Sequence, residues 1–342
     1  MKTSSLIFGL LCGALLASAI FASLGGLQTG SSSDTAGKER ELKIAHNQPT
    51  NHPVHRSIEY FSERIKALSG GKINCVIYSN GQLGSETEYL EKLQTGSLDI
   101  AKTSAAPVAS FVQRMEIFST PYLFRDSDHY WSVLDGEIGH ELLNNLADRG
   151  NGKPSGFRGL CYFDAGSRNF YSVNPITSPA SLEGEIIRVM QDPVAIKMMQ
   201  KFKAVPNPMA SGEIYGALQR GNITGAENNP PTFVAQAHFE VCKHFSFDHH
   251  SRIPDILHIS SLLWDTLSEQ EREWFKVASK EASIYQRSLW EEKTNKAIDV
   301  MKSKGVNIHY PNVSEFEAFI NDSNDSADES EVGILKKRIK SL

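Results

Sequence analysis

Gly166–Tyr171 reads GSRNFY, Leu182–Pro193 reads LEGEIIRVMQDP, and Gly212–Pro231 reads GEIYGALQRGNITGAENNPP. Arg168 and Arg188 sit near short β-rich runs, and Asn228 and Asn229 follow a third. In an α/β domain the carboxyl ends of consecutive strands face one crevice, so these side chains can converge on one ligand. A planar guanidinium can grip a carboxylate through two parallel charge-assisted hydrogen bonds, and an amide serves hydroxyls as donor and acceptor. The combination suits a small polyhydroxylated acid. It carries no nucleophile and no obvious general base.

Arg188 lies inside the apolar run IIRVM, where an unpaired charge would cost several kcal/mol. It therefore needs a partner, either a structural carboxylate such as Glu227 or the carboxylate of a ligand. Asn228 has two readings as well: it can hold the turn before Pro230 and Pro231, or contact the ligand. Phe170, Tyr215 and Phe233 could wall a sugar ring, although core packing is the commoner fate of such residues.

Upstream, ELKIAHNQ alternates as a strand, and HPVHRSIEYFSERIKALSGG spaces its apolar residues as a helix with a Gly-Gly stop. KINCVIYS is a second strand, SETEYLEKLQTG a helix, and SLDIAKTS a third strand. This β-α-β-α-β order predicts a parallel sheet whose strand ends hold His46, Asn47, Thr103 and Ser104, with Glu86 entering a helix. A carboxylate such as Glu86 at a helix start contributes only a few tenths to about 1 kcal/mol if it merely faces the dipole. KLQTGSLDIA (residues 92–101) and ALQRGNITGA (residues 217–226) echo one another as helix end, glycine and short strand. The echo suggests two similar lobes, with Ser104 and Asn228 at matching strand ends.

GFRGLCYFDAGSRNFY and FSFDHHSRIPDILHIS read as strands that cross between the lobes, and two crossings make a hinge. Residues 268–304 form one long amphipathic helix. The expected organisation is a leader or membrane anchor over 1–24 and a flexible linker over 25–40. Lobe I takes 41–165 with about 253–292, and lobe II takes 166–252 with about 293–322. A charged tail over 323–342 has an acidic, disordered part and a short basic helix at LKKRIKSL. In the leader, Ala17–Ser18–Ala19 offers a cleavage site after an apolar run, and the run's continuation approaches the roughly 20 residues that span a bilayer.

Composition bounds function. The 342 residues carry 35 basic and 40 acidic side chains, a balance unsuited to coating nucleic acid or an anionic membrane. No phosphate-binding loop, dinucleotide fingerprint, nucleophile elbow or spaced acid/base pair is present, so no catalysis and no cofactor are expected. An enzyme would have to use Glu86 with His46 or His250. His238, His244, His249 and His250 fall close together but lack the spacing of a metal site. Beyond the leader's Cys12, the cysteines Cys75, Cys161 and Cys242 allow one disulfide or none. Cys75 and Cys161, in apolar strand-like runs, read as buried thiols.

The run IRVM, the downstream ALQRG with GAENN, and the preceding GSRNF resemble the solute-binding proteins of TRAP transporters, the DctP family. The likeness extends over nearly all of the chain after about residue 40. It implies a periplasmic-binding-protein-like α/β clamshell with the long C-terminal helix spanning both lobes. It places carboxylate capture on Arg188 with Arg168 second, and ligand contacts on Asn228, Asn47, Glu86 and Ser104. The doubled asparagine, which adds Asn229, resembles members that bind sugar acids such as uronates or aldonates; C4-dicarboxylate and 2-oxo-acid binders are the alternative. DHHSRIP resembles the family's DEHSR-type segment, which would bring His250 to the cleft as a hydroxyl donor. The implied protein is periplasmic, monomeric, and partnered by a permease driven by an ion gradient; a sensor presenting its ligand to a receptor is the rival role.

Overall fold

The computed structural model describes residues 39–320 and 328–342. The expected leader, most of the linker and residues 323–327 of the acidic tail lie outside them. Among the described residues the strands, in chain order, are β1 (Arg40–Ala45), β2 (Ile73–Tyr78), β3 (Ile100–Ser104), β4 (Phe157–Phe163), β5 (Arg168–Ser172), β6 (Ile186–Val189), β7 (Val205–Pro208), β8 (Gly225–Asn228), β9 (His244–Ser251), β10 (Asp255–Ser260) and β11 (Asn307–His309). Arg40, placed at the end of the linker by sequence, is already the first residue of β1 and pairs with Ile73.

Two sheets form. The first has the order β2-β1-β3-β10-β4, with β1 parallel to β2 and β3, and β10 antiparallel to β3 and β4. The second has the order β11-β9-β5-β8-β6-β7, with β6 parallel to β7 and β8, and β5 antiparallel to β8 and β9. Each sheet is one lobe of a clamshell. The chain crosses between Phe163 and Arg168, and returns between Ser251 and Asp255. Each long crossing strand expected from sequence is thus two strands, one in each sheet, joined by a short linker.

The echo between residues 92–101 and 217–226 is structural. Helices Glu86–Thr95 and Ile214–Gln219 each end before a left-handed glycine, Gly96 at φ 71° and Gly221 at φ 70°, and then feed β3 and β8. A residue with a Cβ is disfavoured in that conformation. Ser104 and Asn228 accordingly close equivalent strands in opposite lobes.

The long helix runs from Glu269 to Ser303, about 52 Å at 1.5 Å per residue. Ser268 and Glu271 cap its start reciprocally. Phe275, Ala278 and Ala282 enter the core of the first lobe beside Phe61, whereas Met301 enters the core of the second beside Tyr171. At mid-length Gln286 accepts from Asp164 N (2.7 Å) and donates to Asp164 O (2.8 Å), gripping the first crossing.

The short helix expected at LKKRIKSL forms, but it begins at Glu331, inside the stretch expected to be disordered. Helix Glu331–Lys340 is not a free basic segment: Leu335 and Ile339, four residues apart on one face, are buried in the core of the first lobe. His129 Nε2 meets Ile339 O at 3.0 Å, and Arg338 pairs with Glu141 at 2.8 Å. Burial of two aliphatic side chains outweighs the solvation that the basic residues retain on the outer face. The three cysteines after the leader are free. Cys75 and Cys161 lie in β2 and β4 at opposite edges of one sheet, roughly four strand spacings of about 4.8 Å apart, and Cys242 belongs to the other lobe. Burial pushes the Cys75 thiol up to about 11 and Cys242 to about 12, so both are inert.

Candidate functional site

A cleft of about 270 Å³, with a deeper extension of about 40 Å³, opens between the lobes. That is close to the lower end of the usual range for small-molecule sites. Asn47, Glu86, Arg188, Met190 and Ser211 border both parts. Seven of the residues singled out from sequence gather here: Asn47, Glu86 and Ser104 on the first lobe, and Arg168, Arg188, Asn228 and Asn229 on the second.

Arg188 comes from β6. Its Nε and Nη2 both donate to Met209 O, at 3.0 and 2.7 Å. Among the described residues its guanidinium forms no ion pair, and Glu227, the structural partner entertained from sequence, belongs to the other arginine. With one edge held by a carbonyl, two Nη1 protons and one Nη2 proton remain, which is an end-on fork of the width a carboxylate takes. Burial pulls this guanidinium below its ordinary pKa, opposed by the charge of Glu227.

Arg168 opens β5 and is tied down. Its Nε and Nη2 grip the two Glu227 oxygens, the second at 2.9 Å, and Nη2 also reaches Glu227 O at 2.8 Å. Nη1 approaches Asn228 Oδ1 at 3.4 Å, leaving one proton for a ligand. Glu227 in turn meets His250 Nε2 at 3.4 Å, while His250 Nδ1 meets Asp248 at 2.8 Å. His250 therefore does not line the cleft. It is fully buried, stacked on Phe170 at 4.4 Å, and supports the arginine from behind.

This cluster sets a pH dependence. Burial alone would deprotonate His250, but the Asp248 and Glu227 carboxylates overcome it and hold the imidazole at about 9. Burial likewise disfavours the Glu227 carboxylate, yet Arg168 and His250 hold it at about 2. The raised histidine stabilises the fold below its ordinary value of 6.5, and that contribution is lost as pH rises through 9; the depressed carboxylate contributes above 4.5 and loses it as pH falls through 2. The contribution of this pair is therefore full between 4.5 and 6.5, with a decline on the order of 3 kcal/mol by the upper value. His52, His238 and His258, which burial lowers to about 3, make stability fall as pH drops below 6.5. In thermal melts His250→Gln should flatten that alkaline decline; an unchanged slope would disprove the assignment.

The first lobe supplies the opposite wall. Lys102, buried in β3, donates to Asn47 Oδ1 (3.1 Å), Glu86 Oε1 (3.0 Å) and Asp255 Oδ2 (3.2 Å). Burial disfavours its charge, but the two carboxylates raise its pKa. Three acceptors match the three ammonium protons. The amide of Asn47 is thereby oriented with Nδ2 free as a donor. Glu86 Oε1 also receives Ser104 N at 3.1 Å, which leaves Oε2 as the free acceptor. Ser104 Oγ is buried without a hydrogen-bond partner among the described residues. Asn229 is more constrained: Oδ1 accepts from Thr232 N (2.8 Å) to cap the helix Pro230–Ala235, and Nδ2 holds Ala165 O (3.0 Å) at the first crossing. Across the mouth, Thr87 Oγ1 meets Gln191 Oε1 at 3.0 Å.

Sequence reading missed Lys102 and Asp255. The signal for Lys102 was weaker than that for Arg188 in IIRVM, since DIAKTS also holds Asp99 and ends in two hydroxyl residues. Trp290, which lines the inner cleft from the long helix, carried no local signal. Phe170 and Phe233 pack in the second lobe's core and Tyr215 bonds Glu240, so none walls the cleft. The histidines disperse: His238 meets Tyr171, His244 meets His309, and His249 meets Ser167. Among the described residues no group of three or more candidate metal ligands exists. Glu86 bonds neither histidine suggested for catalysis; His46 turns to His55 at 2.9 Å and is pushed down to about 2 by burial, aided by Lys102.

The family model for bacterial extracellular solute-binding protein, family 7 (DctP), matches residues 44–331. The chain belongs to this family. The DctP chain is 34% identical to a TRAP periplasmic solute-binding protein from Bradyrhizobium sp., solved with α/β-D-galacturonate, with a TM-score of 0.84 over 89% of this chain and 100% of that one. A second such structure, from Pseudomonas putida F1 with D-glucuronate, is 30% identical, with a TM-score of 0.82 over 89% and 97%. A solute-binding protein of Chromohalobacter salexigens is 30% identical over 76% of each chain. The two-lobe clamshell with its long helix is therefore the fold of TRAP solute-binding proteins. The family's role is extracytoplasmic solute binding for transport, not catalysis.

Proposed function

We propose that this DctP protein captures a sugar acid, a uronate or an aldonate, in the cleft between its lobes and hands it to a TRAP-type permease outside the cytoplasm. One observation carries the reading: Arg188 turns a fork of free N–H groups into the cleft and, among the described residues, pairs with no carboxylate. Its charge is compensated when a ligand carboxylate enters. Arg168 adds one donor beside it, while Asn47, Ser104, Asn228 and Glu86 supply the donors and acceptors that hydroxyls need. Relatives solved with galacturonate and glucuronate support the choice of acid. Asn229 shapes the turn and the crossing more than it reads ligand.

Closure would bury the new ion pair, so a ligand without the acid leaves the arginine unpaired and is rejected. A thermal-shift panel on the purified protein tests this. D-Galacturonate or D-glucuronate at about 100 times its dissociation constant should stabilise the fold by about 2.7 kcal/mol, whereas D-galactose and D-glucose leave the melting temperature unchanged. Stabilisation by the neutral sugars would sink the carboxylate reading.

A further inference from the structure

We infer that the cleft selects monoanionic, polyhydroxylated acids and rejects the corresponding diacids, with Glu86 setting that selectivity. The inference deepens the sugar-acid reading and rests on carboxylate capture at Arg188.

The two walls carry opposite charge. On the second lobe the cleft-lining ionisable groups are Arg168 and Arg188; Glu227 lies behind Arg168, itself backed by His250. On the first lobe Glu86, Glu88 and Asp255 face a single ammonium, Lys102. His52 also borders this wall but is neutral, since burial lowers it to about 3. All three protons of Lys102 are directed at Asn47, Glu86 and Asp255, so none is left for a ligand. The surplus of negative charge shows in Asp255, whose carboxyl burial pushes up, with Glu86 adding to the rise against the pull of Lys102.

A ligand gripped at Arg188 projects its far end toward this wall. A hydroxyl there finds complementary partners, donating to Glu86 Oε2 and accepting from Asn47 Nδ2. A carboxylate finds no free cation and meets the Glu86 oxygen that faces the cleft. Two carboxylates cannot share such a site without repulsion or protonation. Rejection by like charge is a stronger filter than the loss of one contact, because it acts against the wrong ligand rather than only for the right one. Glu88 adds to the field at the mouth but is held in the helix cap by Ser85, so its oxygens are already directed away.

The test is calorimetric titration of the purified protein with matched pairs: D-galacturonate and D-galactonate against galactarate, and D-glucuronate and D-gluconate against D-glucarate. Within each set the tightest monoacid should bind at least tenfold more tightly than the diacid. Glu86→Gln should shrink that ratio at least fivefold, by improving the diacid and weakening the monoacid. A diacid that equals or beats its monoacids in the native protein overturns the inference while leaving carboxylate capture intact. Failure of every acid, mono or di, would instead strike the capture reading. Should Glu86→Gln lower the unliganded melting temperature sharply, Glu86→Asp takes its place. That variant keeps the charge and must keep the native preference, and a lost preference with the charge retained overturns the inference.

Discussion

Replacing Arg188 by alanine should weaken sugar-acid binding by roughly 2–5 kcal/mol, between about thirtyfold and several thousandfold, because a carboxylate closed into the cleft then has no charged partner. The same change should lower the stability of the unliganded protein little, by about 1 kcal/mol or less. Only Met209 O loses a donor, and a buried guanidinium without a carboxylate ceases to oppose folding. Titration calorimetry and thermal melts on one preparation read both quantities. An affinity within tenfold of the native value would remove Arg188 from the site. A fall of several kcal/mol in unliganded stability would instead make it a structural residue.

Glu227→Ala should produce the opposite signature. Glu227 is buried between Arg168 and His250, and its removal strands the Arg168 guanidinium in a lobe interior, while His250 keeps Asp248. Breaking a buried pair from one side costs about 3–5 kcal/mol. For a chain of this size that is a fall on the order of 10 °C in melting temperature. A double change, Arg168→Met with Glu227→Leu, should recover part of the stability, since both charges leave together. Chemical denaturation of the single and double variants measures this directly, and a single variant as stable as the native protein would refute it. The two arginines thus differ: among the described residues one has no carboxylate partner, and the other is neutralised within the protein.

That division was only half legible in the sequence. A charge within IIRVM must have a partner, and the argument led to a residue that borders the cleft. It could not say whether Glu227, two strands away in chain order, belonged to Arg188 or to Arg168, because register decides this. Asn169 pairs with Asn228 across β5 and β8, which sets Arg168 beside Glu227. His250 was misplaced for a similar reason: on β9 its side chain is buried against Phe170 and reaches Glu227 behind Arg168, and alternation beside a bulged pairing was not readable from DHHSRIP. The parallel trio β2-β1-β3 followed from β-α-β logic and the hinge from two crossing runs, but the sheet is mixed and not parallel throughout, because the returning chain inserts β10 antiparallel between β3 and β4. The C-terminal helix was legible but its packing was not, because four basic residues masked two buried aliphatic ones four positions apart. Lys102 was passed over because β3 reads IAKTS, where the neighbouring Thr103 and Ser104 make a charge less conspicuous than Arg188 in IIRVM.

The insertion of β10 between β3 and β4 governs how this molecule can be made. The Thr103 hydroxyl and the His258 ring that meet at 3.0 Å are 155 positions apart, and the centre of the first sheet stays open until residue 260 is available. Neither lobe is a continuous stretch of chain, so cutting at the crossings would leave two fragments with unpaired strand edges instead of two domains. Such non-local pairing makes folding slow, because loop closure must precede the contacts that reward it. A growing chain therefore cannot complete its first sheet until about three quarters of it has emerged, whatever the second lobe has done by then.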